Sequence, residues 1–229
     1  MPVKLRTYWK RYLLGAVALL VVLAVGGPLF YARVIEGDAA APLAVGAGQT
    51  AATGELSGTY TVSAGSESGY RVHEILGGQS IDAVGRTRDV SGSATLSGSQ
   101  VTAGEITVQL ATVTSDQARR DNQFTGNIMN VAEYPTATFR LTQPVDLGAG
   151  FTGGDRATAD ATGELTVRGV TRPVTFPVTA VRNGTGIDVS GSVPVAFADF
   201  GVTPPSIGDF VKVDPTGQIE FLLKLAPAS

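Results

Sequence analysis

Side chains that commonly carry out enzyme chemistry are scarce in this sequence of 229 residues. One histidine and no cysteine exclude thiol nucleophiles, disulfide bonds, cysteine-ligated zinc and a metal site built from several histidines of one chain. Serine–histidine–aspartate catalysis would have to use His73. That residue lies beside Glu74 in a predicted strand, where neighbouring side chains point to opposite faces, and the sequence suggests no partner set for it. We therefore expect no catalytic residue, metal site, cofactor or enzyme activity.

Charge is distributed unevenly along the chain. Four of the 17 basic residues lie within the first eleven residues, where there is no acidic residue. The remaining chain holds 13 basic and 20 acidic residues, a net charge of −7. A region that acidic binds polyanions poorly, so nucleic acid is not an expected partner.

An uncharged, largely apolar run covers residues 12–32. As a helix it would be about 30 Å long, which matches the hydrocarbon core of a bilayer, so we predict a transmembrane signal-anchor helix. The basic segment 1–11 predicts a cytoplasmic N-terminus, with the chain beyond about residue 33 outside the plasma membrane. A cleaved signal peptide, with small residues at 39–41 and a secreted product, is the alternative, but the run exceeds the usual length of about 7–15 apolar residues.

The chain after this run changes character twice. Residues 33–55 are rich in alanine, glycine, proline and threonine, show little periodicity and are predicted to be a linker. The exported domain is then 56–229, a length that suits one domain with a sizeable core. Abundant glycine, 29 residues in the chain, favours short strands joined by turns over helices.

Apolar and polar residues alternate along the exported domain, as in antiparallel strands that bury one face. The segments 105–110, 136–142 and 217–225 show the alternation clearly. An Asn-Gly pair at 183–184 predicts a hairpin. Further strands are expected at 58–63, 69–76, 90–96, 159–167, 172–181 and 187–197.

Eight or nine antiparallel strands permit either a sandwich or a closed barrel, and composition does not choose between them. A barrel of about eight strands has an interior that holds side chains or one small ligand. The strand pattern is interrupted at 115–131, where Ser115 or Asp116 is expected to cap a short helix. No helical pattern alternates with the strands, which argues against a parallel α/β sheet.

Several short blocks occur in order between residues 57 and 225. They include G-T-Y-T-V at 58–62, R-D at 120–121 followed by Y-P-x-x-x-F at 134–139, G-E-L-T-V-R-G-V-T-R-P-V at 163–174 and D-F-G at 199–201. Together they resemble the YceI-like family. This resemblance implies an antiparallel, eight-stranded, lipocalin-like β-barrel with a short helical excursion, which binds a polyisoprenoid lipid in its interior.

With this resemblance, the apolar strand faces become candidates for the wall of a lipid cavity, although ordinary core packing is an equally good interpretation of each residue. Burying hydrocarbon contributes about 0.8 kcal/mol per CH₂, so one five-carbon unit contributes roughly 3–4 kcal/mol before costs. The candidates are Ile106, Val108, Leu110, Phe139, Leu141, Leu165, Val167, Phe176, Val178, Phe221 and Leu223.

Arg119 and Arg120, at the start of the excursion, are the candidates for binding a charged lipid head group, because guanidinium groups bind phosphates through paired hydrogen bonds. The alternative is that they form surface ion pairs with nearby residues such as Asp116 and Asp121. Reversing both charges without loss of affinity for a charged-head ligand would exclude the head-group role.

Two functions are compatible with these features. The first is a membrane-anchored extracytoplasmic lipid-binding protein, with an isoprenoid or other long-chain lipid and the plasma membrane as its partners. The second is a ligand-free structural or protein-interaction barrel. Small inward-facing residues would leave a hollow and favour the first, whereas large ones would fill it and favour the second. A homodimer is compatible with either function, and an enzyme acting on lipid is disfavoured.

Overall fold

The computed structural model describes residues 39–46, 51–76, 78–204 and 211–228. Two short helices, α1 (Ala118–Gln123) and α2 (Ala149–Gly153), accompany the strands, and α1 continues into a π-helical turn at Phe124–Ile128. Single 3₁₀ turns lie at Leu110–Thr112 and Phe197–Phe200. The strands are β1 (Ser57–Val62), β2 (Glu67–Leu76), β3 (Gln79–Thr87), β4 (Val90–Ser97), β5 (Gln100–Gln109), β6 (Thr136–Leu141), β7 (Val145–Asp146), β8 (Ala157–Val167), β9 (Val170–Asn183), β10 (Gly186–Ala196), β11 (Val211–Val213) and β12 (Thr216–Pro227).

Eight of these strands form a closed antiparallel ring. Their order is β1, β4, β5, β6, β8, β9, β10 and β12, and β12 pairs again with β1. Closure leaves no edge within the ring and encloses one interior. The protein is therefore an eight-stranded barrel and not a sandwich, which confirms the fold implied by the family resemblance.

A hairpin of β2 and β3 extends the barrel wall at one end. β2 pairs with β3 along its length, and with β12 and β11 on its other side. The sequence analysis missed β3, because its residues 79–87 mix small, polar and charged types on both faces. The hairpin predicted at the Asn-Gly pair is confirmed: Asn183 pairs with Gly186, and the turn is formed by 184–185.

The two ends of the barrel are closed differently. At one end, which we call the excursion end, residues 110–135 leave β5, and the buried side chains of Phe124 and Met129 contribute to the core there. The opposite end, which we call the far end, carries the hairpin between β4 and β5 and the hairpin between β9 and β10. Phe151 of α2 is only 1% exposed at the far end.

The helix of the excursion begins later than predicted. Gln117 is the N-cap residue of α1 and makes no side-chain capping bond, so the expected cap at Ser115 or Asp116 is wrong. The backbone N–H and hydroxyl of Ser115 instead donate to Asp121 Oδ1, at 2.8 and 2.6 Å. This carboxylate therefore binds the turn before the helix.

Parts of the predicted linker lie against the barrel. Residues 39–46, which we call the strap, contact its outer surface: Arg71 Nη2 donates to the Ala40 carbonyl at 2.5 Å, and the Val45 N–H donates to Ser190 Oγ at 3.1 Å. Val45 is buried. Arg182, also buried, donates to the Thr53 carbonyl at 2.5 Å. Ordered contacts between the chain and the barrel thus begin well before residue 56.

No helix among the described residues is long and apolar enough to cross a bilayer. The predicted transmembrane segment 12–32 and the basic segment 1–11 lie outside the described residues. Their membrane role remains a prediction from sequence.

Candidate functional site

The interior of the barrel contains a cavity of about 170 Å³. Among the residues that the structure describes, 26 line this cavity, and only Ser68, Ser93 and Thr138 of these carry polar side chains. The hydroxyl of Ser68 donates to the Glu220 carbonyl at 3.1 Å, so its hydrogen-bonding requirement is met within the protein. A wall of this composition suits hydrocarbon, because a polar ligand would leave its own donors and acceptors unpaired inside.

The interior is hollow because several inward positions carry small residues. Ala94, Gly104, Ala137, Ala161 and Ala180 all lie on the wall and come from five different strands of the ring. Leucine or phenylalanine at these positions would fill the space that they leave. This is the pattern that the sequence analysis associated with a lipid-binding barrel.

Aromatic rings are accommodated in the wall by facing glycines. A Cβ on Gly163 would lie 2.5 Å from the Phe139 ring, and one on Gly191 would lie 2.6 Å from the Phe221 ring. Phe176 packs edge-to-face with both rings, at centroid distances of 5.2 and 5.9 Å. These glycines therefore let two large side chains lie close to neighbouring strands instead of across the cavity.

Nine of the eleven predicted wall residues lie on the cavity. Leu110 does not, because the chain turns out of β5 into the 3₁₀ turn at Leu110–Thr112 and this side chain packs in the core at the excursion end. Val167 does not, because it is the last residue of β8, opposite Val170 in the hairpin, and is buried in the core beyond the cavity. The nine are Ile106, Val108, Phe139, Leu141, Leu165, Phe176, Val178, Phe221 and Leu223. That they contact lipid remains a prediction.

Other wall residues were missed by the sequence analysis. Leu96, Ile187 and Leu225 lie on the inward faces of strands, and extending the same alternation along those segments would have found them. Val145 and Leu147 come from a short strand and the loop after it, where the sequence has no clear period, so only the fold brings them to the wall.

The two predicted head-group arginines are not on the cavity wall. Arg119 is exposed on α1. Arg120 is mostly buried, lies 3.4 Å from Glu74 and also pairs with Asp116. The ion pair with Asp116 was the alternative reading of the sequence, and a head-group role for either arginine stays a prediction.

A half-buried tyrosine, Tyr70, lies beside this charged cluster. The Tyr70 ring stacks on Phe124 with centroids 5.0 Å apart. Burial raises the pKa of the Tyr70 hydroxyl to about 12; the positive charge of Arg120 opposes the rise, and nearby carboxylates, Asp121 and Glu74 among them, add to it. Ionising this group in the folded protein therefore requires strongly alkaline solution.

Replacing Tyr70 by phenylalanine is expected to make the protein more resistant to alkaline unfolding. The unfolded tyrosine loses its proton near pH 10 and the folded one near pH 12, so the wild type loses about 3 kcal/mol of stability as the pH rises through this window. The variant keeps the ring stack and lacks the ionising group. Urea unfolding at pH 9 and at pH 12 measures the effect, and an equal loss in both proteins would show that Tyr70 is not its cause.

His73 has partners that the sequence did not reveal. Its Nδ1 lies 3.1 Å from Asp82 Oδ1, and its Nε2 lies 3.1 Å from Ser80 Oγ. The order serine–histidine–aspartate is that of a nucleophilic triad, so the expectation that this histidine lacks a partner set was wrong.

Position argues against a catalytic role for this array. It lies on the outer face of the β2–β3 hairpin, where Ser80 and Asp82 are exposed, and it does not contribute to the cavity wall. Asp82 also accepts a hydrogen bond from Arg71 at 3.2 Å, which divides the carboxylate between two partners. Catalysis would further require hydrogen-bond donors that stabilise an oxyanion and a binding site for the substrate. We interpret the array as cross-strand hydrogen bonding, and the absence of enzyme activity stays a prediction.

Metal binding receives no support from the part of the chain that the structure describes, which contains no cluster of three or more histidine, aspartate or glutamate side chains suited to an ion.

Comparison with known protein families identifies the family to which this barrel belongs. The family model of the YceI-like domain matches residues 60–225, most of the chain and nearly all of the barrel. The protein belongs to the YceI-like family. The family prediction made from sequence blocks is thereby confirmed.

Curated relatives named UPF0312 proteins are moderately similar to this chain. A UPF0312 protein of Pseudomonas putida (strain GB-1) is 34% identical over 132 residues, which is 53% of this chain and 64% of the relative. A UPF0312 protein of Azotobacter vinelandii is 33% identical over 127 residues, which is 52% of this chain and 62% of the relative. The chain thus spans less than two thirds of the length of these relatives.

Two solved structures share the YceI-like fold. A polyisoprenoid binding domain from Saccharophagus degradans, implicated in plant cell wall breakdown, has a TM-score of 0.61 and 18% identity, covering 75% of this chain and 99% of its own. BcnA of Burkholderia cenocepacia has a TM-score of 0.54 and 22% identity, covering 68% of this chain and 95% of its own. At these identities the likeness concerns the fold.

Proposed function

We propose that this protein is a lipid-binding protein that holds the tail of a polyisoprenoid-type lipid inside the barrel. The observation that carries the proposal is the apolar cavity in the barrel interior, kept open by small residues on five strands. A neighbour in fold is a polyisoprenoid binding domain, which agrees with this ligand class. The alternative function is that of a ligand-free structural or protein-interaction barrel. Side chains would fill the interior of such a barrel and leave no space of this kind.

The size of the cavity limits how much of the lipid tail the barrel can hold in this conformation. An apolar protein cavity of about 150 Å³ accommodates benzene, so 170 Å³ corresponds to about six carbon atoms, about one isoprenoid unit. Burying that many carbons contributes about 4 kcal/mol before ordering costs, which corresponds to a Kd near 1 mM. Tighter binding requires the tail to extend past this volume or to widen it.

The direct experiment is organic extraction of the full chain, purified in detergent, followed by mass spectrometry. We expect an isoprenoid lipid at near-stoichiometric yield. Recovery of only the bulk phospholipids of the host, in the same amount as from a cavity-filled variant, would contradict the proposal.

We further propose that residues 12–32 anchor the protein in the plasma membrane with the barrel on the outer side. The support is the uncharged run of 21 residues and the basic segment before it. Because the chain has no cysteine, single cysteines report topology directly. In intact cells a membrane-impermeant maleimide is expected to label Ser97→Cys in the barrel and not Thr7→Cys. Equal labelling of both variants, or loss of the protein to the medium, would contradict the arrangement.

A further inference from the structure

The strap runs along the barrel wall in a defined direction. Ala40 is bound by Arg71, which lies opposite Gln218 near the beginning of β12, at the excursion end. Val45 is bound by Ser190, which lies opposite Leu222 near the middle of β12. The N-terminal end of the strap is therefore held at the excursion end, and the chain leaves it toward the far end.

Few residues connect the strap to the proposed membrane segment. Eight Cα–Cα steps join residue 32 to Ala40, the bound residue of the strap, and fully extended they span about 27 Å. The far end of β12 is nine residues beyond Gln218, or about 25 Å along a tilted strand. If the far end faced the bilayer, the chain from residue 32 to Ala40 would have to be almost fully extended. The excursion end can meet the surface without strain.

The excursion end also carries an exposed apolar side chain. Ile75 is 38% exposed and is the one large hydrophobic residue with an exposed side chain among those the structure describes. It lies in β2, four residues beyond Arg71, and its cross-strand neighbour is Lys212, which is exposed as well. An apolar side chain next to a basic one suits the interface of a bilayer with anionic lipid.

We propose that the strap holds the excursion end of the barrel against the membrane surface, with Ile75 and Lys212 at the lipid head groups. This inference rests on the membrane attachment proposed above. It identifies the lipid surface as the partner of this end of the barrel.

Fluorescence quenching tests the orientation. Full-length single-cysteine variants Ala118→Cys, on α1 at the excursion end, and Ser97→Cys, in the hairpin at the far end, are labelled with one fluorophore and reconstituted in vesicles of phosphatidylcholine and phosphatidylglycerol. Both positions are exposed. A phospholipid with a nitroxide on its head group serves as quencher. We expect the label at 118 to be quenched at least twice as strongly as the label at 97.

Two variants separate the strap from other causes. A flexible insertion of Gly-Ser repeats between residues 38 and 39 leaves the strap contacts in place and removes the limit on reach, so the ratio of quenching should fall toward one. Val45→Asp places a carboxylate at a buried position and should release the strap with the same result. Circular dichroism checks that each variant keeps the β-structure.

The outcomes distinguish this inference from the function on which it rests. Protein that floats with the vesicles but shows equal quenching at both positions, or stronger quenching at 97, overturns the orientation alone. An unchanged ratio after the insertion overturns the role of the strap. Full-length protein that does not float with vesicles overturns the membrane attachment, and the orientation with it.

Discussion

Replacing Gly104 by leucine is expected to lower lipid affinity by about two orders of magnitude while leaving the barrel folded. Gly104 lies on the cavity wall, and a Cβ there would be 3.7 Å from Leu141 Cβ and 3.9 Å from the Ser93 carbonyl oxygen, which are ordinary contacts. The four added carbons would occupy most of the 170 Å³. A ligand that loses about four buried methylene groups loses about 3 kcal/mol.

The neighbouring residue provides the matched control. Ala103 is on the same strand, is exposed and lies outside the cavity wall, so Ala103→Leu should change affinity less than about twofold. Titration with an isoprenoid alcohol and mass spectrometry of extracted lipid measure binding, and thermal unfolding checks the fold. If Gly104→Leu folds normally and retains as much lipid as Ala103→Leu, the ligand is not in this cavity.

Replacing Glu220 by alanine is expected to destabilise the protein by about 3–5 kcal/mol. This side chain is 3% exposed, on the outward face of β12, lies 2.7 Å from Arg71 Nε and also pairs with Arg86. Its removal leaves two largely buried guanidinium groups without their shared carboxylate, and one of them, Arg71, also binds the strap. Urea unfolding at pH 7 measures the change in the free energy of unfolding.

An exposed pair with the same short distance is the control for this experiment. Glu164 lies 2.7 Å from Arg140 Nη2, but the two side chains are 42% and 64% exposed. Solvent screens such a pair, so Glu164→Ala should cost less than about 1 kcal/mol. Similar losses for the two alanine variants would show that burial of Glu220 does not decide its contribution.

Much of the fold could be predicted from the residues, and the failures have identifiable causes. Alternation located most strands, because a barrel wall has one dry and one wet face. Strand β3 was not predicted, because small and charged residues interrupt the alternation of apolar and polar residues along it. His73 was judged to be isolated because its partners, Ser80 and Asp82, lie across a hairpin whose second strand had not been recognised.

The sequence predicted which residues line the cavity better than it predicted the shape of the cavity. The apolar faces of the predicted strands supplied nine wall residues, since side-chain direction follows from strand period. Leu110 and Val167 were predicted to lie on the cavity wall but do not, because each lies where a strand ends and the chain leaves the wall. Whether a hollow remains depends on how small residues from distant strands meet, which no local pattern records.

The local structure of this protein is determined by residues close together in the chain, because propensity and amphipathicity act over a few residues. The strand periods, the interruption at 115–131 and the family blocks can therefore all be recognised from the sequence alone. Ring closure between β1 and β12, the 170 Å³ cavity, the burial of Glu220 and the docking of the strap were decided by tertiary structure alone. Each depends on groups far apart in sequence, whose contact is set by packing and desolvation over the whole barrel.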